Sequence, residues 1–264
     1  MPLRYYDSYW LRSYFNVLEL LGQQAPSQAE EFRRAMSIFE VDHHFIEQKI
    51  ALFTPEQTTS MRSFISNLSH DVLEQHELLA FGRMVVHDHP FFNEWQSEIC
   101  ARVSNIVGEE VESNYNFLSL YNNLGHCELH RDAPAAKWTV DHCIEQSAPW
   151  DIFISDPLPW KDEEHQAGDQ WADNLKSNTT FRTHALTAGE TLVFGGSSQW
   201  HYRNRIPKTK NQNFCHLIFF HFIPAGSKEL TLPENWAAYF GIAAIDEVII
   251  RTADAVTASY KPQS

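Results

Sequence analysis

Residues 119–132 read SLYNNLGHCELHRD, from Ser119 to Asp132. A β-rich run closes at Tyr121, Asn122-Asn123-Leu124-Gly125 carries turn residues, and His130 and Asp132 follow two residues apart. In an extended strand that spacing puts both side chains on one face of a sheet. An imidazole nitrogen and a carboxylate oxygen can then meet on one metal ion. A third residue of the same kind, His201, stands far downstream in QWHYR (199–203), after TLVFGG at 191–196. Two His and one carboxylate make a three-ligand set that leaves positions open on non-haem Fe(II).

Around this stretch the chain reads as strands. Candidates lie at 115–121, 138–144, 150–154, 181–186, 190–194, 199–203 and 214–223, punctuated by Gly189, Gly195-Gly196 and Pro207. Many short strands with turns between them predict a sandwich or barrel core. Residues 1 to 50 read as helical, with Gly22 as a stop and Ser27–Glu30 at capping-box spacing. QKIALFTP (48–55) reads as a short strand, and Thr54-Pro55 opens a helix expected to reach Glu77. His87-Asp88-His89-Pro90 reads as a loop before a helix over 93–107, and a helix is expected over 234–248. The polar insert 156–179 is long for a plain connection and reads as a lid.

The 264 residues fit one large domain, and 43% hydrophobic content with 18 Phe supplies a substantial core. A formal charge of −14 argues against nucleic acid as a partner, because phosphate contacts need clustered Lys and Arg. Arg203, Arg205, Lys208 and Lys210 still form one local basic cluster. Four cysteines without CxxC spacing read as free thiols of a reducing cytoplasm. No signal-peptide pattern and no apolar run of about 18 residues is present, so a cytoplasmic protein without a membrane partner is expected.

The order of a Tyr-bearing strand, a turn, His-x-Asp, a Gly-Glu-Thr-Leu-Val-Phe strand and a distal His resembles the Fe(II)/2-oxoglutarate-dependent oxygenase superfamily, in its prolyl-hydroxylase-like branch. The matching residues are Tyr121, His130, Asp132, Gly189 to Phe194 and His201, and the resemblance covers residues 48–224. It implies an α+β fold with a double-stranded β-helix, or jelly roll, and supporting helices. Residues 1–47 would form an N-terminal helical extension and 225–264 a helical tail. It further implies a dioxygenase with Fe(II) on His130, Asp132 and His201, using 2-oxoglutarate and O2. Such an enzyme hydroxylates an unactivated C–H bond of a small-molecule, amino-acid or peptide-like substrate, releasing succinate and CO2. Asp132 points away from halogenation, since halogenases of that superfamily usually lack the carboxylate. The alternative is a non-catalytic or isomerising metal-bound jelly roll, or a carbohydrate-binding module.

The far carboxylate of 2-oxoglutarate needs a cation, preferably the planar fork of Arg. In the branch that the chain resembles, this cation opens the last core strand; here Phe214-Cys215-His216 opens it without one. Arg203 and Arg205, two and four residues past His201, would share its face on an extended strand. Arg203 is the first expectation, because a guanidinium buried there without an anion would be uncompensated. Arg205 is second, Lys210 and Lys137 are further candidates, and Tyr121 is the neutral partner. Trp138, Trp150, Trp160, Trp171 and Trp200 are candidates to line a cleft, and His126 to border its mouth. His216 and His221 face opposite sides of one strand; His43, His44, His87 and His89 read as packing, surface or loop residues.

Overall fold

A computed structural model describes residues 8–161, 171–208 and 213–259. The chain opens with α1 (Tyr9–Gln24) and α2 (Pro26–Met36), then β1 (Gln48–Ile50), α3 (Pro55–Ser66) and α4 (Leu78–Phe81). Next come β2 (Arg83–His87), α5 (Pro90–Val107), β3 (Val111–Tyr121), β4 (Cys127–His130), β5 (Trp138–Gln146) and β6 (Ile152–Pro157). After α6 (Trp171–Asn178) follow β7 (Phe181–His184), β8 (Thr191–Phe194), β9 (Gln199–Arg203) and β10 (Cys215–Pro224). The chain ends in α7 (Trp236–Phe240) and α8 (Ala244–Ser259).

All strand pairs are antiparallel, in a six-stranded sheet β1-β8-β5-β10-β3-β2 and a four-stranded sheet β4-β9-β6-β7. Period-two alternation sorts the side chains. Leu118, Val140, Ile218 and Phe220 of the larger sheet pack on Met61 of α3 and Phe92, Ile99 and Val103 of α5. Their alternates Tyr121, Cys143, Leu217 and Phe194 turn inward with Ile152 and Ile154 of the smaller sheet. Leu129 and Trp200, on that sheet's outer side, pack with α1, α2, α7 and α8 through Trp10, Tyr14, Phe32, Trp236 and Ile245. The predicted α+β jelly roll is therefore present, with helices on both outer sides.

Several helix ends differ from expectation for local reasons. Gly22 does not stop α1, since its position is open and the helix continues to Gln24. Ser27 and Glu30 form no capping box: Pro26 starts α2 behind Ala25, and Glu30 pairs with Arg33 instead. Helix α3 does open on the Thr54–Gln57 capping box, but it ends at Ser66 rather than Glu77. There the Asn67 side chain bonds the Ser63 carbonyl and Ser69 bonds Asp71, local bonds that compete with helix. Helix α5 starts at Pro90, three residues early, because His89 Nδ1 accepts from the Phe91 amide. The C-terminal helix is split by Gly241, at φ +67°. Of the insert, residues 162–170 lie outside the described part; Trp160 is buried with its indole N–H on the Ser197 carbonyl. No helix among the described residues is long and apolar enough to cross a membrane.

Candidate metal centre

Antiparallel pairing of β4 and β9 sets His130 directly opposite His201 and Cys127 opposite Arg203. The two imidazoles lie 4.2 Å apart, centre to centre. His130 Nδ1 is 2.8 Å from the Glu128 carbonyl and His201 Nδ1 is 2.9 Å from the Gln199 carbonyl. A carbonyl can only accept, so each Nδ1 carries a proton and each Nε2 is the nitrogen left to face Asp132. Both Nε2 atoms lie 3.6 Å from Asp132 Oδ1. A metal about 2.1 Å from each donor spans such a separation.

Asp132 is held from behind. Its amide donates to the Gly196 carbonyl at 2.9 Å, and Thr139 Oγ1 donates to its Oδ2 at 2.6 Å. A Cβ on Gly196 would stand 2.3 Å from Oδ2 and 2.4 Å from Thr139 Oγ1, so only glycine fits against the carboxylate. The Thr139 proton is committed to Asp132, hence His221 Nδ1, 3.2 Å away, must donate to Thr139. Its Nε2 is buried and has no partner.

Charge in this cluster is strongly coupled. Burial opposes the Asp132 carboxylate, but His201 and His130 outweigh it and hold the carboxyl well below its usual range. Burial also opposes charge on both imidazoles. At His201 the neighbouring His130 adds to it and the pKa falls. At His130 the Cys127 thiol and Asp132 win, and the pKa rises well above its ordinary value. Two neutral imidazole donors and a carboxylate aimed at one point suit a divalent cation, which would displace that proton. The three ligand atoms lie within 4.8 Å of one another; the other such group among the described residues, Asp42-His43-His44, is fully exposed.

The centre opens on a cavity of about 140 Å³, bordered by Arg83, Tyr121, Arg203 and His221 besides the three ligands. A larger groove of about 520 Å³ between α1 and α8 contains none of them. Chemistry rather than size selects the smaller. Arg203 does reach this cavity, but it is not uncompensated as the sequence implied. Its Nη2 lies 2.5 Å from Asp141 Oδ2 and its Nη1 donates to the Trp150 carbonyl at 2.6 Å. Burial pushes the Asp141 carboxyl up, against the pull of the guanidinium. Its other oxygen, Oδ1, is buried with no hydrogen-bond partner among the described residues. Arg205 is exposed, because β9 ends at Arg203 and the chain turns away. Lys137 is buried outside the cavity, 2.7 Å from Glu109. Lys210 lies outside the described residues.

Tyr121 is buried in the cavity wall, its ring edge-on to Trp150 at 4.8 Å. Its hydroxyl accepts from Arg83 Nη1 at 2.7 Å. Arg83 was missed in the sequence because the stretch between the helix expected to reach Glu77 and the loop at His87 was assigned no strand. The signal was Gly82 before the β-branched pair Val85-Val86, with a cation on the first strand position. None of the five tryptophans lines the cavity. Trp150 backs it; Trp138 faces the α5 side, and Trp160 and Trp200 sit in the outer helical layer, with Trp171 packed against them. His126 is absent from the cavity wall, and His216 bonds Glu145 at 2.9 Å.

No family model matches the sequence, and no curated protein matches it. Solved structures do match the fold. HygX from Streptomyces hygroscopicus, with nickel and 2-oxoglutarate bound, superposes with a TM-score of 0.52 at 12% identity, over 68% of this chain and 83% of that one. The non-heme alpha-ketoglutarate-dependent carbocyclase SnoK of nogalamycin biosynthesis gives 0.51 at 10%, over 70% and 85%. The fold is that of the Fe/2-oxoglutarate oxygenases. In this fold the His130–Asp132–His201 cluster borders a cavity lined from both sheets of the jelly roll.

Proposed function

We propose that this chain is an Fe(II)- and 2-oxoglutarate-dependent oxygenase that hydroxylates an unactivated C–H bond of a small molecule. The observation that carries the reading is the convergence of His130 Nε2 and His201 Nε2 on Asp132 Oδ1 beside an enclosed cavity. Iron bound there supplies activation of O2 coupled to decarboxylation of 2-oxoglutarate. The chain's own residues do the rest. His130, Asp132 and His201 would hold the metal from one side and leave its other side open to cosubstrate and O2. The Thr139 bond occupies the second oxygen of Asp132, which keeps that ligand monodentate.

Arg203 and Tyr121 are the proposed anchor for the distal carboxylate. Both pack on the Trp150 ring, Arg203 at 5.0 Å and Tyr121 at 4.8 Å. The Tyr121 oxygen accepts from Arg83, and among the described residues no acceptor takes its own proton. That proton is free for a carboxylate. HygX has also been seen with hygromycin B bound, which favours a small molecule as substrate in this fold.

The test is succinate formation from 2-oxoglutarate with Fe(II), ascorbate and air. Turnover without added substrate is expected to be slow but measurable, and Asp132→Gly should abolish it. Full activity of Asp132→Gly would exclude Asp132 as a ligand. No succinate from wild type, with metal bound and candidate substrates present, would favour a non-catalytic jelly roll.

A further inference from the structure

We infer that Arg83 is the docking residue for a carboxylate on the prime substrate, so that the enzyme acts on a carboxylate-bearing small molecule. The inference rests on the proposed function and names its substrate class. Three observations carry it: a second cation in the same cavity, its unused donors, and its place near the opening.

Arg83 and Arg203 border one cavity from different sheets. A single cosubstrate has one distal carboxylate, and Arg203 stands beside Tyr121 on Trp150 to take it. Arg83 comes from β2, the outer strand of the larger sheet. Gly82 places it there: a Cβ on Gly82 would stand 2.5 Å from the Leu124 backbone, so only glycine lets β2 close on the turn before β4. The guanidinium sits among Phe81, Phe117 and Tyr121, 5.3 to 5.4 Å from each ring centre. Its Nε pairs with Glu77, and its Nη1 donates to Tyr121 and to Ser119 at 3.2 Å. Nη2, with two N–H groups, has no acceptor among the described residues. A fork held in place with one prong unused is preorganised for a carboxylate.

Exposure gives the direction of entry. The His130 side chain is 33% exposed, Arg83 13% and Arg203 3%. The cavity therefore opens between β4 and β2, and a substrate arriving there meets Arg83 before Arg203. The cavity of about 140 Å³ is bordered by both cations and by the candidate metal ligands. The substrate body stays at the mouth and its acid group reaches Arg83. Glu77 already offsets part of the charge on Arg83, which suits a monoanion better than a phosphate dianion.

The test is anaerobic calorimetry on Zn(II)-loaded, 2-oxoglutarate-saturated protein, with hexanoate and its neutral isostere hexanamide as probes. Wild type is expected to bind hexanoate at least 10-fold more tightly. The ratio should collapse towards one in Arg83→Gln and persist in Arg205→Gln, whose side chain is outside the cavity. Equal binding, binding of neither probe, or a ratio that survives Arg83→Gln overturns the inference. The second arm titrates 2-oxoglutarate itself. Arg203→Gln/Asp141→Asn, which leaves no buried charge unpaired, should weaken it at least 30-fold and Arg83→Gln far less; equal losses would make Arg83 a cosubstrate anchor and overturn the inference. Wild type that binds no 2-oxoglutarate would instead bring down the proposed function, and hexanoate selectivity measured without cosubstrate would remain a separate reading. Circular dichroism of each variant confirms folding.

Discussion

A single methyl group can decide whether this centre exists. Gly196→Ala would drive a Cβ into Asp132 Oδ2 and Thr139 Oγ1, at 2.3 and 2.4 Å, and against the Ala136 backbone carbonyl at 2.6 Å, which cannot swing aside. Metal affinity measured with Zn(II) or Mn(II) should fall at least 100-fold while the thermal transition survives. Thr139→Val removes the bond behind the carboxylate, and a loss of about 10- to 100-fold is expected. Thr139→Ser should restore most of it; failure of that rescue would make the hydroxyl irrelevant. Arg203 needs a paired design. Arg203→Ala alone strands Asp141 in the interior, which costs about 3–5 kcal/mol. In Arg203→Gln/Asp141→Asn the fold should hold and the apparent KM for 2-oxoglutarate rise about 30- to 1000-fold, with metal binding intact. The candidate ligands stood out in the sequence as a His-x-Asp triplet and a distant His, while the β4–β9 pairing that sets His130 against His201 did not. Nor did Asp141, since nothing local ties residue 141 to residue 203; β5 and β9 lie in different sheets, and the two meet only where the sheets face each other.

Elements report on each other through buried polar links. Glu47, just before β1, takes both forks of Arg182 on β7 at 2.6 Å, His184 at 2.7 Å and Gln199 on β9 at 3.0 Å. Burial opposes its charge, but Arg182 and His184 prevail and bring its pKa down to about 2 from 4.5. A carboxyl lowered in the folded state stabilises fully above its unfolded pKa, and that contribution disappears as pH falls through the folded value. Urea unfolding of wild type and Glu47→Gln should thus differ by about 3 kcal/mol at pH 7. The gap should close between about pH 4.5 and 2; a constant gap would show that packing, not charge, is responsible. The insert 156–179 is proposed as a lid. Proteolysis within it should slow when metal, cosubstrate and substrate are bound, and equal cutting in all states would remove the lid. Most strands could be read from alternation and turn residues. Helix ends could not, because Asn67, His89 and Gly241 act through side-chain bonds and dihedrals that periodicity does not register.

For the whole molecule, the apolar content supplies three packed clusters rather than one core, and no described helix is long and apolar enough to cross a membrane. The sequence did not foretell that the helices before the barrel and those after it form one layer. Trp10 donates to the Leu230 carbonyl across 220 residues, and Asn16 to Thr252 across 236, both at 2.9 Å. This seam sets a timetable for biosynthesis. Helix α1 leaves the ribosome long before α8, and at roughly 5–20 residues per second the interval is about ten to forty-five seconds. For most of it Trp10, Tyr14, Val17 and Leu21 lack Leu230 and Trp236, and throughout it they lack α8. A nascent chain stalled before Ala244 should therefore recruit chaperones through α1, and release should coincide with the emergence of α8.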